Sequence, residues 1–168
     1  LCAAALAAAC TPSQTAAPAA APAAEPTREV MTAEKQKSLT PAAVLAELKE
    51  GNRRFVEGRL TPRDYRAQAA ASAKGQYPKA VVLSCLDSRV PPEIVFDQGI
   101  GDLFVGRVAG NVEDVTMLGS MEFATKAAGA KLVVVLGHTS CGAVKGAIDR
   151  AEMGNLTALL REFDEAVG

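Results

Sequence analysis

The chain predicts an α/β fold, a parallel sheet flanked by helices, and three observations carry that expectation. Two short apolar runs rich in β-branched residues, at 80–83 and 131–136, read as buried strands of a parallel sheet. Segments with helical spacing of apolar residues alternate with the strand candidates, and such alternation implies parallel pairing under flanking helices. Each of the two runs is followed at once by a polar turn that carries cysteine, residues 84–89 and 137–142. In open parallel sheets, chemistry collects beyond the carboxyl ends of the strands.

The leader comes first. Residues 1–9 are small and apolar, and resemble the end of a signal-peptide core whose charged start is missing, since the sequence begins at Leu1. Cys10 follows directly. A small-residue stretch ending at a cysteine resembles the lipobox of bacterial lipoproteins, with Cys10 lipidated. The competing reading is a plain Ala-x-Ala cleavage site at residues 7–9. Either reading implies export, to the periplasm and, with lipid on Cys10, to a membrane anchor. Residues 11–38 are rich in Ala, Pro and Thr, with Pro12, Pro18, Pro22 and Pro26 blocking helix. They read as a disordered tether ahead of a domain spanning 39–168.

Within the domain, Thr40 and Pro41 form a helix start, a capping hydroxyl followed by proline in the first turn. Val44, Leu48 and Phe55 mark one face of a helix running to about residue 58, with Glu50 and Arg54 paired on the exposed side. A second helix is expected over 65–73, a short one from Pro91–Pro92 to Phe96, and a strand over 102–108. A turn at 109–111 follows. Val115, Leu118 and Met121 then mark a helix over 113–128, ended by Gly129. After the strand at 131–136, helices are expected over 143–153 and 156–167.

Bulk properties exclude several classes. Eighteen basic against nineteen acidic residues give a net charge of −1, which argues against a general nucleic-acid binder. No apolar run after the leader is long enough for an internal membrane span. Four cysteines, Cys2 and Cys10 in the leader and Cys85 and Cys141 in the domain, are too few for a disulfide scaffold. With the single histidine they point to metal or redox chemistry.

If the two strands are neighbours, Cys85, His138 and Cys141 converge. Two thiolates and one imidazole leave the fourth position of a tetrahedral zinc free, the arrangement of catalytic zinc. Asp87 and Arg89, two residues apart, can face the same side. Three arrangements are open to them: Asp87 as a fourth zinc ligand, Asp87 held off the metal by a bidentate guanidinium, or a simple salt bridge in the turn.

Here the sequence resembles a family. Cys-x-Asp-x-Arg at 85–89 followed by His-x-x-Cys at 138–141 is the signature of the β-class carbonic anhydrases, and the stretches 96–104, 107–111, 119–123 and 133–138 are similar to its bacterial members. The resemblance covers about residues 40–155. It implies zinc on Cys85, His138 and Cys141, a catalytic dyad of Asp87 and Arg89, and reversible hydration of CO2 to bicarbonate by zinc-bound hydroxide. It further implies that Gln76 helps bind bicarbonate across a dimer interface, that Phe104 lines the CO2 pocket, and that Gly142 lets substrate approach the backbone. The expected assembly is a homodimer or higher homo-oligomer. Family members usually continue beyond the point where this chain stops, so a truncation at Gly168 is expected. Two thiolate ligands should weaken the Lewis acid, so activity should rise toward alkaline pH. Alternatives from the same residues are a zinc hydrolase of carbonyl sulfide or carbon disulfide, a thiol-redox protein with Cys85 and Cys141 paired, and a non-catalytic zinc module.

Overall fold

The computed structural model describes residues 24–167. The leader, lipidation at Cys10 and the first part of the expected tether lie outside them. The elements in chain order are α1 (Ala33–Ser38), α2 (Pro41–Val56), α3 (Tyr65–Ser72), β1 (Ala80–Cys85), α4 (Pro92–Val95), β2 (Leu103–Val108), α5 (Val115–Glu122), β3 (Leu132–Leu136), α6 (Gly142–Ile148), α7 (Gly154–Arg161) and α8 (Asp164–Val167). A 3-10 turn at Ala109–Asn111 follows β2, and a π-helical stretch at Phe123–Ala127 extends α5.

The three strands form a parallel sheet in the order β2-β1-β3. Every residue of β1 is buried, as a central strand covered on both faces requires. On one face Ala80 packs with Val44 and Leu48 of α2, flanked by Phe96, Leu103, Leu132 and Val134. On the other, Val81 packs with Ala124 and Ala130, flanked by Phe104 and Met121. Full burial of a side chain such as Leu48 contributes about 1.5–3 kcal/mol. Because β3 lies directly against β1, the turns that leave these two strands emerge side by side.

Helix α2 starts as expected: the Thr40 hydroxyl accepts from Ala43 N at 3.2 Å, with Pro41 in the first turn. Its buried face is Val44, Leu48 and Gly51, whereas Phe55 is half-exposed. Gly51 is required there, because a Cβ would stand 1.9 Å from the Phe96 carbonyl oxygen. Arg54 keeps its i,i+4 pair with Glu50, Nη1 lying 3.7 Å from the carboxylate, but does more than that. It turns inward, and its Nε donates to Asp97 at 2.5 Å.

Asp97 is a buried hub. Its fully covered carboxylate accepts from Arg54, Arg63, the Thr61 hydroxyl at 2.7 Å and Thr61 N at 3.1 Å. Burial alone would push its pKa up, but Arg63, Arg54 and Thr61 outweigh burial and hold it below the ordinary value. A depressed carboxyl stabilises the fold at neutral pH and loses that contribution as pH falls through the folded-state value. Asp97→Asn keeps the shape but leaves Arg63 uncompensated. It should cost about 3 kcal/mol in urea unfolding at pH 7, and a change within 0.5 kcal/mol, roughly the surface-substitution range, would contradict this account.

The tether ends earlier than expected. Residues 27–38 dock onto the domain: Thr27 pairs with Arg63 in an isolated parallel bridge, and Gln68 donates to the Glu29 carbonyl at 2.9 Å. Gln36, buried in α1, donates to the carbonyls of Pro78 and Ala128, both at 2.8 Å. The strap thus lies at the amino-terminal end of the sheet, and the folded unit begins ahead of residue 39. Proline spacing gives no warning of this, because the strap is held by side-chain amides reaching distant carbonyls.

Helix α6 also stops early, at Ile148 and not near 153. Arg150 adopts a left-handed conformation (φ 52°) there, and the last helical segment splits into α7 and α8. Among the described residues no helix is long and apolar enough to cross a membrane.

Candidate metal centre

Cys85 is the last residue of β1, and His138 and Cys141 sit in the turn between β3 and α6. Ser140, between the two, takes a left-handed conformation (φ 57°) that folds the turn back on itself. The donor atoms of Cys85, His138 and Cys141 all lie within 4.8 Å of one another. Both thiols are free and buried, with their sulfurs 3.9 Å apart.

The histidine is prepared for a ligand. Its Nδ1 lies 2.9 Å from the Thr139 carbonyl, which can only accept, so in the neutral ring the lone pair is on Nε2. That Nε2 is buried and has no hydrogen-bond partner. An orphaned nitrogen lone pair beside two thiols fits zinc in donor type and number.

Electrostatics agree. Burial pushes the Cys85 thiol up, but the His138 imidazole, the N–H groups of Gly110 and Asp87, and Cys141 outweigh it and lower the pKa to about 7. The Gly110 N–H donates to Cys85 Sγ at 3.3 Å. Gly110 has φ 66°, and a Cβ there would stand 2.2 Å from the Phe163 ring, so glycine alone brings this donor in. The neighbouring Cys85 sulfur raises the pKa of His138, against the effect of burial.

Asp87 lies at the rim, its Oδ2 3.9 Å from His138 Nε2. Arg89 grips it: Nε donates to Oδ1 at 2.9 Å, Nη2 to Oδ2 at 2.7 Å, and the backbone N to Oδ1 at 2.9 Å. This bidentate contact is the geometry shared by two of the three arrangements left open by the sequence, the carboxylate drawn off by a guanidinium and the salt bridge of the turn. Arg89 keeps the Asp87 carboxyl far below the usual carboxylate range, so it is ionised at any working pH.

Other expected residues are not gathered here. Gln76 is exposed in the loop before β1, a strand's length from Cys85. Phe104 pairs with Val81, four residues below the level of Cys85 and Val108. It meets Phe123 edge-on, with centroids 6.1 Å apart, and lines an apolar groove with Met117 and Met121. Neither side chain reaches the cluster of its own chain. Gly142 does sit at the cluster, next to Cys141, with open space where a Cβ would be. Arg107 and Gly110 also touch the Cys85 segment, contacts that no motif in the sequence marks. Their only signal was their place in the 107–111 stretch.

A family described as carbonic anhydrase matches residues 80–168. Carbonic anhydrase 2 of Mycobacterium tuberculosis is 50% identical over 117 residues, covering 69% of this chain and 56% of that protein. The carbonic anhydrase of Mycolicibacterium smegmatis is 46% identical over 129 residues, covering 76% and 63%. This chain therefore spans less than two thirds of the length of either relative. Among solved structures, the β-carbonic anhydrase CafA of Aspergillus fumigatus superposes with a TM-score of 0.57 at 29% identity, covering 74% of this chain and 58% of that one. The β-carbonic anhydrase CcaA gives 0.56 at 28%, covering 74% and 64%. Matching sequence over the metal-ligand strands and matching fold around them lead to one assignment: the chain belongs to the β-carbonic anhydrase family.

Proposed function

We propose that the chain catalyses the reversible hydration of CO2 to bicarbonate and a proton, with zinc on Cys85, His138 and Cys141. The observation that carries this is the convergence of two thiols and an unpartnered imidazole nitrogen beside a carboxylate locked by arginine. Bound there, zinc would supply a Lewis acid able to make water nucleophilic near neutral pH. Asp87, always ionised, can only accept hydrogen bonds. It takes one from the attacking oxygen and so turns a lone pair toward the carbon of CO2. Arg89 keeps Asp87 turned away from the metal. Gly142 leaves room for substrate against the turn.

Gln76 and Phe104 are remote from the cluster of their own chain, so they act in substrate binding only when a second copy supplies them. This supports a homodimer or higher homo-oligomer as the working form. The small-residue run ending at Cys10 supports export with a lipid anchor. Mass spectrometry finding no lipid on Cys10 would leave plain signal cleavage.

The test is stopped-flow CO2 hydration on zinc-loaded protein. Fast hydration is expected, rising from pH 6.5 to pH 9, roughly the interval over which water on a thiolate-rich zinc should ionise. Asp87 does not titrate in that interval, so the rise belongs to the nucleophile. A flat profile contradicts this reading of the metal's acidity, and absence of hydration with zinc bound contradicts the activity.

A further inference from the structure

Arg107 stands on β2 opposite Ser84, and its side chain crosses the carboxyl end of β1. Its Nε donates to the Cys85 carbonyl at 3.1 Å and its Nη2 to the Asp87 carbonyl at 2.5 Å. These carbonyls lie where the sheet runs out. Pairing of β1 with β3 stops at Ser84 and Leu136, and pairing with β2 stops at Cys85 and Val108. One last ladder bond follows, Leu86 N to the Val108 carbonyl at 3.1 Å, before the chain after β2 turns away at Ala109–Asn111.

A guanidinium is a rigid planar fork. When two of its nitrogens bond two carbonyls, it fixes the distance between them. One carbonyl belongs to a sulfur donor of the metal cluster, and the other to the residue whose carboxylate Arg89 holds. We propose that Arg107 is a positioning residue that fixes Asp87 relative to the Cys85 thiolate by bonding the carbonyls of both. It touches neither the metal nor the reacting atoms. The inference rests on the zinc-site reading above.

The test compares wild type, Arg107→Ala and Arg107→Lys, each loaded with zinc for kinetics and with cobalt(II) for ligand-field spectra. Arg107→Ala is expected to keep one metal per chain, shift the cobalt bands, and lower kcat about 10–100-fold, as loss of outer-shell support does, with a smaller change in KM. Lysine should recover little, because one ammonium cannot reproduce the fork. Added guanidinium ion should restore part of the activity of the alanine variant and none of the lysine variant. Unchanged cobalt bands with kcat within twofold of wild type, or full activity in Arg107→Lys, would overturn the proposal. So would a lowered melting temperature with an unshifted spectrum. If Arg107→Ala does not fold, Arg107→Lys carries the spectral comparison on the same terms. If wild type binds metal but hydrates no CO2, the proposed activity fails alone. The cobalt spectra then still decide on Arg107, shifted bands upholding its role and unchanged bands overturning it.

Discussion

Cys141→Ser is expected to abolish zinc retention and CO2 hydration together. The serine hydroxyl is not a thiolate at neutral pH, so the centre falls from three protein donors to two. Loss of a supporting residue outside the ligand shell costs about 10–100-fold in metal affinity or activity, and loss of a ligand should cost more than the upper figure. The fold should survive, because the exchange is nearly isosteric at a buried position, and circular dichroism would check this. Metal analysis after dialysis should find wild type near one zinc per chain and the variant near none. Stoichiometric zinc with activity within tenfold of wild type would remove Cys141 from the ligand set.

Arg89→Ala is expected to do the reverse to the metal and the same to the chemistry. Two of the three donors to the Asp87 carboxylate disappear, leaving only the backbone N–H of residue 89. The freed carboxylate stands 3.9 Å from the nitrogen offered to the metal and needs only a side-chain rotation to cap it. Hydration should fall by about 100-fold or more, in the range found when a group acting on the nucleophile is lost. Zinc should be held as tightly as in wild type or more so, as a chelator competition would read. Little stability should be lost, because the Arg89 side chain is 70% exposed and exposed ion pairs contribute about 0–1 kcal/mol. Full activity in this variant would show that Asp87 needs no restraint. Loss of zinc would show that Arg89 supports the ligands themselves.

Much of the centre was legible before any coordinates. Strands β1 and β3 announce themselves as β-branched runs, and each ends directly in the turn that bears its ligands. Asp87 and Arg89 do meet, but through a turn and not the pleat: Val90 N donates to the Asp87 carbonyl at 3.2 Å and Arg89 N to its carboxylate at 2.9 Å. What stayed hidden depends on contacts with no local pattern. Arg54 reads as half of a surface pair with Glu50, which it keeps, and nothing local shows that its Nε also reaches the buried Asp97, 43 residues away. Gln36 looks like a tether residue until two carbonyls at the sheet's end accept from it. Arg107 reads as an ordinary strand residue until its guanidinium is seen across the end of β1. Periodicity reports which face is apolar, not which distant carbonyl needs a donor. The height of Phe104 on its strand was hidden for a related reason, since the apolar run of β2 does not show that this residue stands level with Val81, four residues from Cys85.

The strap formed by residues 27–38 gives the molecule two poles. It closes over the amino-terminal end of the sheet, against the carbonyls of Pro78 and Ala128, while the thiols gather at the opposite end. Phe163, between α7 and α8, sits instead against Gly110, beside the Cys85 sulfur. A bead or electrode grafted onto the strap itself would therefore hold the domain by its blunt pole, with the thiol cluster directed away from the support.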